Sequence, residues 1–175
     1  HPRDRRQRQM CIRDRANFLL RDGVKNRESV FHTPIISSFS HQHISSRVMV
    51  LRAHNATQRT MRFHSDFRSD KVKELLDDPR TSIIGYDPAL KTQIRLVGKS
   101  KIHHNNKNSL KAWDESQAIS KKCYSVKDGS SHKAKKPEIY DFHMKDIKLE
   151  DGYANFCTIE FLSLIHISEP TRRSM

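Results

Sequence analysis

Apolar and polar positions along the chain switch between two periods, and the switches outline its elements. Thr60 to Ser65, TMRFHS, alternates Met61 and Phe63 with Arg62 and His64, the two-residue period of a half-buried strand. Ser46 to Ala53 carries the apolar run Val48-Met49-Val50-Leu51 between Arg47 and Arg52 and reads as one strand. The polar turn His54-Asn55-Ala56-Thr57-Gln58 joins it to the strand that starts at Arg59. Thr81 to Tyr86 is apolar and β-branched, Thr92 to Ile102 alternates Ile94 and Leu96 with Arg95 and Lys99, and Asn155 to Leu162 makes a further strand. Ser29 to Ser38 is rich in strand formers, although Pro34 restricts it to an edge or a bulge.

Three stretches follow the helical period instead. Asn17 to Val24 reads as the end of a helix, with Gly23 as its stop. Ser69 to Asp78 carries the stripe Val72, Leu75 and Leu76, with Ser69 as N-cap and Pro79 just past the end. Asn108 to Ile119 places Leu110, Trp113 and Ile119 on a helix. Phe39 to Ser46 is a polar connection, Ser125 to Lys136 a loop, and Pro137 to Tyr153 fits no single period. The result is a mainly β chain with a few helices and short antiparallel strands. Gly98, expected to mark a bend or bulge, and the number of strands favour a small barrel over an open sandwich.

Composition changes this picture mainly through charge. The 175 residues carry a net charge of +13, which directs attention to anionic partners: nucleic acid, a membrane surface or phosphorylated small molecules. The ends account for part of it. His1 to Arg15 supplies +4 and Ser163 to Met175 supplies +1, leaving +8 on the middle. RQRQMCIRDR and SLIHISEPTRRSM resemble translated sequencing-library adapters. Residues 1–15 and 163–175 are therefore expected to be a non-native leader and tail around a domain at 16–162 that is cut short at its C-terminus. Nucleic acid is an unlikely partner on this reading, because the basic residues are not interleaved with aromatics as on single-strand platforms.

Cys11, Cys123 and Cys157 have no short spacing between them, which argues against a disulfide framework or a structural zinc site and for a reducing cytoplasm. No apolar run approaches the ~20 residues of a membrane span, and the first residues lack a signal-type apolar core. His41-Gln42-His43 and His103-His104 lack partners at ligand spacing, so no metal is expected. No G-x-S-x-G elbow supports a hydrolase triad.

The stretch Arg47 to Lys71 holds most of the candidate chemistry. Arg47, Ser69 and Lys71 would converge on an anion where a hairpin feeds a helix N-terminus. Surface charge is the plainer reading of Arg47 and Lys71. RVMVLR, RFHSDFRSDK and TQIRLVGK, in that order and spacing, resemble the pyridoxamine 5′-phosphate oxidase-like group of FMN-binding split β-barrels over about Val30 to Leu162. The closest branch is the broad, less characterised one.

That resemblance implies FMN as cofactor, a homodimer with FMN at its interface, and an oxidoreductase acting on a small molecule. It implies a phosphate contact at Arg47 and backbone contacts to the flavin ring from Val48, Met49, Val50 and Leu51, on a strand reaching Arg52. His64 and Ser65 fall on the pair that closes the next strand, Ser69, Asp70 and Lys71 on the phosphate segment, and Gln93 on the glutamine that faces the flavin. Arg52, Trp113 and Ser120 fall on the substrate side. Asp70 replaces a basic residue of the vitamin B6 enzyme, and the family's C-terminal tryptophan and arginine/histidine motif is absent. A non-catalytic FMN- or haem-type binding module on the same fold is the alternative.

Overall fold

The computed structural model describes residues 2–41, 43–125 and 149–164, with side chains for 11–41, 43–125 and 152–164. Most of the expected 125–136 loop, much of the 137–153 stretch and nearly all of the expected tail lie outside the described residues.

Helix α1 (Pro2–Lys25) leads into a 3-10 turn at Val30–His32 and strand β1 (Ile35–Phe39). Strands β2 (Ile44–Val48), β3 (Leu51–Asn55) and β4 (Thr60–Asp66) follow, then α2 (Asp70–Asp77), β5 (Arg80–Asp87) and β6 (Thr92–His104). Helices α3 (Lys107–Asp114) and α4 (Ala118–Lys122), a 3-10 turn at Leu149–Asn155 and β7 (Phe156–Ser163) follow among the described residues. The strands form one antiparallel sheet in the order β2-β1-β5-β6-β7-β4-β3.

Its two edge strands, β2 and β3, are consecutive in sequence. In a flat seven-stranded sheet they would lie six spacings apart, roughly 29 Å. Met49 and Val50 alone join them, and a link that short spans no more than about 11 Å. The sheet therefore curls until its edges meet at Met49–Val50. Ile36, Leu51, Met61, Phe63, Ile83, Ile94, Leu96, Ile159 and Phe161 fill the inside, and Ala16, Leu19 and Leu20 of α1 pack onto them with Phe31.

Several local expectations are corrected. Ser46–Ala53 is not one strand, because the chain crosses there from one sheet edge to the other: Met49 N–H still bonds Pro34 O at 3.1 Å in the β1–β2 register, and Leu51 already pairs with Phe63 of β4. Ser29–Ser38 divides into the 3-10 turn and β1, with Pro34 just before the strand. Gly98 carries no bulge, for its pairing with Thr81 and Ser163 is regular, and the register shift falls in β3 between Leu51 and Ala53. Asn108–Ile119 is two helices; Asn106 caps the first with a capping box, and Glu115 and Ser116 close it. Gly23 lies inside the last turn of α1, where a Cβ would sit 2.7 Å from the Phe31 carbonyl. There it permits a close approach and does not stop the helix. Among the described side chains of α1, burial begins at Ala16.

Candidate functional site

Two cavities open at the ends of the crossing segment. The first, about 680 Å³, is lined by Arg47 of β2, by Asp70, Lys71, Lys73, Glu74 and Asp77 of α2, and by Phe39, His41 and His43. Arg47 stands directly opposite Ile36 of β1, so it shares that residue's inward face and points beneath α2. Its guanidinium donates to Glu74 Oε2 at 2.6 Å and to the hydroxyls of Ser38 and Ser45 at 2.5 Å. Lys71 is held below the ordinary lysine range, first by burial and then by the charge of Arg47. The lining balances Arg47, Lys71 and Lys73 against the carboxylates of Asp70, Glu74 and Asp77, and an anion entering it would meet Arg47 and Lys71.

The second cavity, about 280 Å³, is lined by Lys25, Arg27 and His32 after α1, by Arg52, Arg62 and His64 of the β3–β4 hairpin, and by Glu115, Ser116, Gln117 and Ser120. Arg62 donates to Glu115 at 2.9 Å. Arg62 Nε and His64 Nε2 are buried and, among the described residues, have no hydrogen-bond partner. His64 stands edge-on to Phe156. Four cations face one carboxylate here, and the unpartnered Arg62 Nε–H leaves room for a further acceptor.

The positions expected from sequence separate as follows. Arg47, Asp70 and Lys71 share the first cavity, Arg52, His64 and Ser120 share the second, and Val48 to Leu51 run between them. Ser65 and Ser69 are buried, with their hydroxyls bonded to each other and to Asp66 O. Trp113 is packed among Tyr124, Tyr153 and Phe156 and lines neither cavity. Gln93 lies on the outer face of β6, opposite Tyr86, three strands from Arg47. Arg62, Glu74, Glu115 and Gln117 were not anticipated. Arg62 had a signal, since it lies two residues before His64 on a strand and shares its face. Glu74 had none, because its partners Ser38 and Arg47 lie 36 and 27 residues away in sequence.

His64 is held down to about 3, by burial first and then by Arg62 and Arg52. The unfolded chain binds that proton near pH 6.5, so the neutral ring contributes stability above that pH, and the contribution is lost as pH falls from about 6.5 toward 3. His64→Gln is expected to remove on the order of 1–2 kcal/mol of the stability lost between pH 7 and pH 5. Denaturant melts at the two pH values measure this, and equal losses in both proteins would rule it out.

The antiparallel sheet curls into a small barrel, with one cavity at each end of its crossing segment. Residues 18–104 match the family model of the pyridoxamine 5′-phosphate oxidase FMN-binding domain. The chain belongs to the pyridoxamine 5′-phosphate oxidase-like family, whose fold its solved neighbours share. One is a pyridoxamine 5′-phosphate oxidase-related, FMN-binding protein from Nostoc punctiforme PCC 73102, at 16% identity over 86% of this chain and 79% of that one, with a TM-score of 0.68. PhzG from Burkholderia lata 383, solved in complex with tetrahydrophenazine-1-carboxylic acid, is 16% identical over 93% and 76%, with a TM-score of 0.60. HupZ of Group A Streptococcus is 9% identical over 86% and 95%, with a TM-score of 0.51. At these identities the likeness speaks for the fold alone. No curated protein matches.

Proposed function

We propose that the chain is an FMN-binding flavoprotein, acting as a homodimer and as an oxidoreductase on a small acidic molecule. The observation that carries this reading is the crossing segment itself. Arg47 at one end lines a cavity together with Lys71, where both could meet a phosphate, and Arg52 at the other end opens into a second cavity, in which four cations face Glu115. The residues fit the cofactor's phosphate through charge-assisted contacts from Arg47 and Lys71 beside the start of α2. Its ring would lie along Val48 to Leu51, where the chain passes between β2 and β3 at Met49–Val50. When bound, FMN supplies the electron-transfer chemistry, while the chain binds, orients and shields it. The substrate's acid group would meet Arg52, Arg62 and Ser120, with His64 as a neutral partner.

The dimer is supported by the outer face of β2-β1-β5-β6. Two cross-strand pairs, Ile35 with Val48 and Phe39 with Ile44, are exposed there, with Tyr86 and Val97 exposed on β5 and β6 of the same face. Apolar surface of that kind marks an interface, and Gln93 on the same face would reach the flavin of a second copy. All three thiols are free, which supports a reducing cytoplasm. Among the described residues no helix is long and apolar enough to cross a membrane.

The test is the visible spectrum of the purified chain with FMN, combined with light scattering. A yellow dimer is expected, bleached by its substrate. Ile35→Glu should give monomers that bind FMN roughly tenfold more weakly. Absence of flavin absorbance would sink the cofactor assignment, a flavin-binding monomer the dimer, and a dimer that no reductant or small acid bleaches the enzyme.

A further inference from the structure

We infer that Glu74 is a built-in rival of the ligand's phosphate. Its carboxylate holds Arg47 aligned and must yield that contact before a phosphate monoester can bind. The inference rests on reading the Arg47–Lys71 cavity as a phosphate site.

The geometry is a closed quartet. Arg47 Nη2 donates both to Glu74 Oε2 at 2.6 Å and to Ser45 Oγ at 2.5 Å, while Nη1 donates to Ser38 Oγ at 2.5 Å. Ser38 Oγ in turn donates a hydrogen bond to the same Glu74 oxygen at 2.7 Å. The arginine donors aimed beneath α2 are thus spent on an acid from the chain itself. Arg47 and Glu74 side chains are 17% and 16% exposed, so the pair is shielded but lies open to the cavity. Burial alone would raise the Glu74 carboxyl, but hydrogen bonds from Ser38 and Arg47 outweigh it and keep the group ionised below its ordinary range. The other acids lining the cavity face side chains other than Arg47: Asp70 meets Lys73 at 3.2 Å and Asp77 faces His41 at 3.3 Å. Glu74 is therefore the carboxylate seated on the arginine that a phosphate would need.

A dianion entering beside Lys71 meets a like charge at the position its own oxygens would occupy. A flavin without the phosphate meets no such rival. Removing the charge of Glu74 should therefore favour FMN while leaving riboflavin unaffected. A purely structural Glu74, fastening α2 to β1 and β2, would move both ligands together.

The experiment titrates the full chain, as wild type, Glu74→Gln and Glu74→Met, with FMN and with riboflavin by flavin fluorescence quenching. A thermal melt of each variant establishes that it is folded, and Glu74→Met decides if Glu74→Gln is not. The expected result is FMN binding roughly tenfold tighter in the variants, with riboflavin unchanged. FMN affinity that is unchanged or weaker overturns the inference, as does riboflavin tightening in parallel. Wild type that prefers FMN over riboflavin, combined with unaltered variants, sinks the rivalry alone. Wild type with no preference for FMN sinks the phosphate site and the rivalry together.

Discussion

Gly98→Ala should destabilise the protein by about 3 kcal/mol or more, the largest effect on folding expected from adding one methyl group. Gly98 is buried in β6 and paired on both sides, with Thr81 of β5 and Ser163 of β7. A Cβ there would lie 2.1 Å from Leu162 O and 2.7 Å and 2.8 Å from two ring carbons of Phe161. Leu162 O belongs to the neighbouring strand and Phe161 is fully buried, so neither can yield without opening the β6–β7 pairing. Gly98 has an ordinary negative φ, so the constraint is steric and not conformational. Because β7 connects β6 to β4, the loss would reach the hairpin that carries Arg62 and His64. Equilibrium denaturation measures it, and a change below about 1 kcal/mol would show that the sheet can relax.

Much of the barrel was legible because period-2 alternation is a local signal. β4, β5, β6 and β7 each lie within a few residues of the stretches read from the sequence, and the Ser69–Asp78 helix is α2 with Ser69 as its N-cap residue. The crossing at Met49–Val50 was not legible. Four consecutive apolar residues look like one buried strand, and only the distant pairing of β2 with β1 and of β3 with β4 divides them. Gly98 was read as a bend for a similar reason: a glycine inside a strand fits a bulge or a close approach equally well.

The site divides along the same line. Family motifs in the sequence pointed to Arg47, Lys71, Arg52, His64 and Ser120, which all reach a cavity. His64 and Ser65, adjacent on a strand, present opposite faces, so one lines the cavity while the other is buried. The acids that set the charge of the site, Glu74 and Glu115, come from helices whose placement no local pattern reveals.

Arg47→Ala should affect both folding and ligand binding, and a second substitution separates the two. Glu74, ionised and largely shielded, would lose its cation and retain the hydroxyls of Ser38 and Ser45 among its partners in the quartet. Breaking a fully buried pair costs about 3–5 kcal/mol; with both side chains near one-sixth exposed, roughly 1.5–3 kcal/mol is expected. FMN should bind about 1.5–3 kcal/mol more weakly, the worth of a lost charge-assisted phosphate contact. Arg47→Ala combined with Glu74→Gln removes the stranded charge, so stability should recover in part, because neighbouring sites couple. FMN affinity should stay well below wild type, since no guanidinium remains to meet the phosphate. Melts and FMN titrations of the two single variants and the double variant complete the cycle. If stability fails to recover in the double variant, the ion pair contributes little to the fold. If FMN binds Arg47→Ala as tightly as wild type, the cavity beneath α2 does not hold the phosphate.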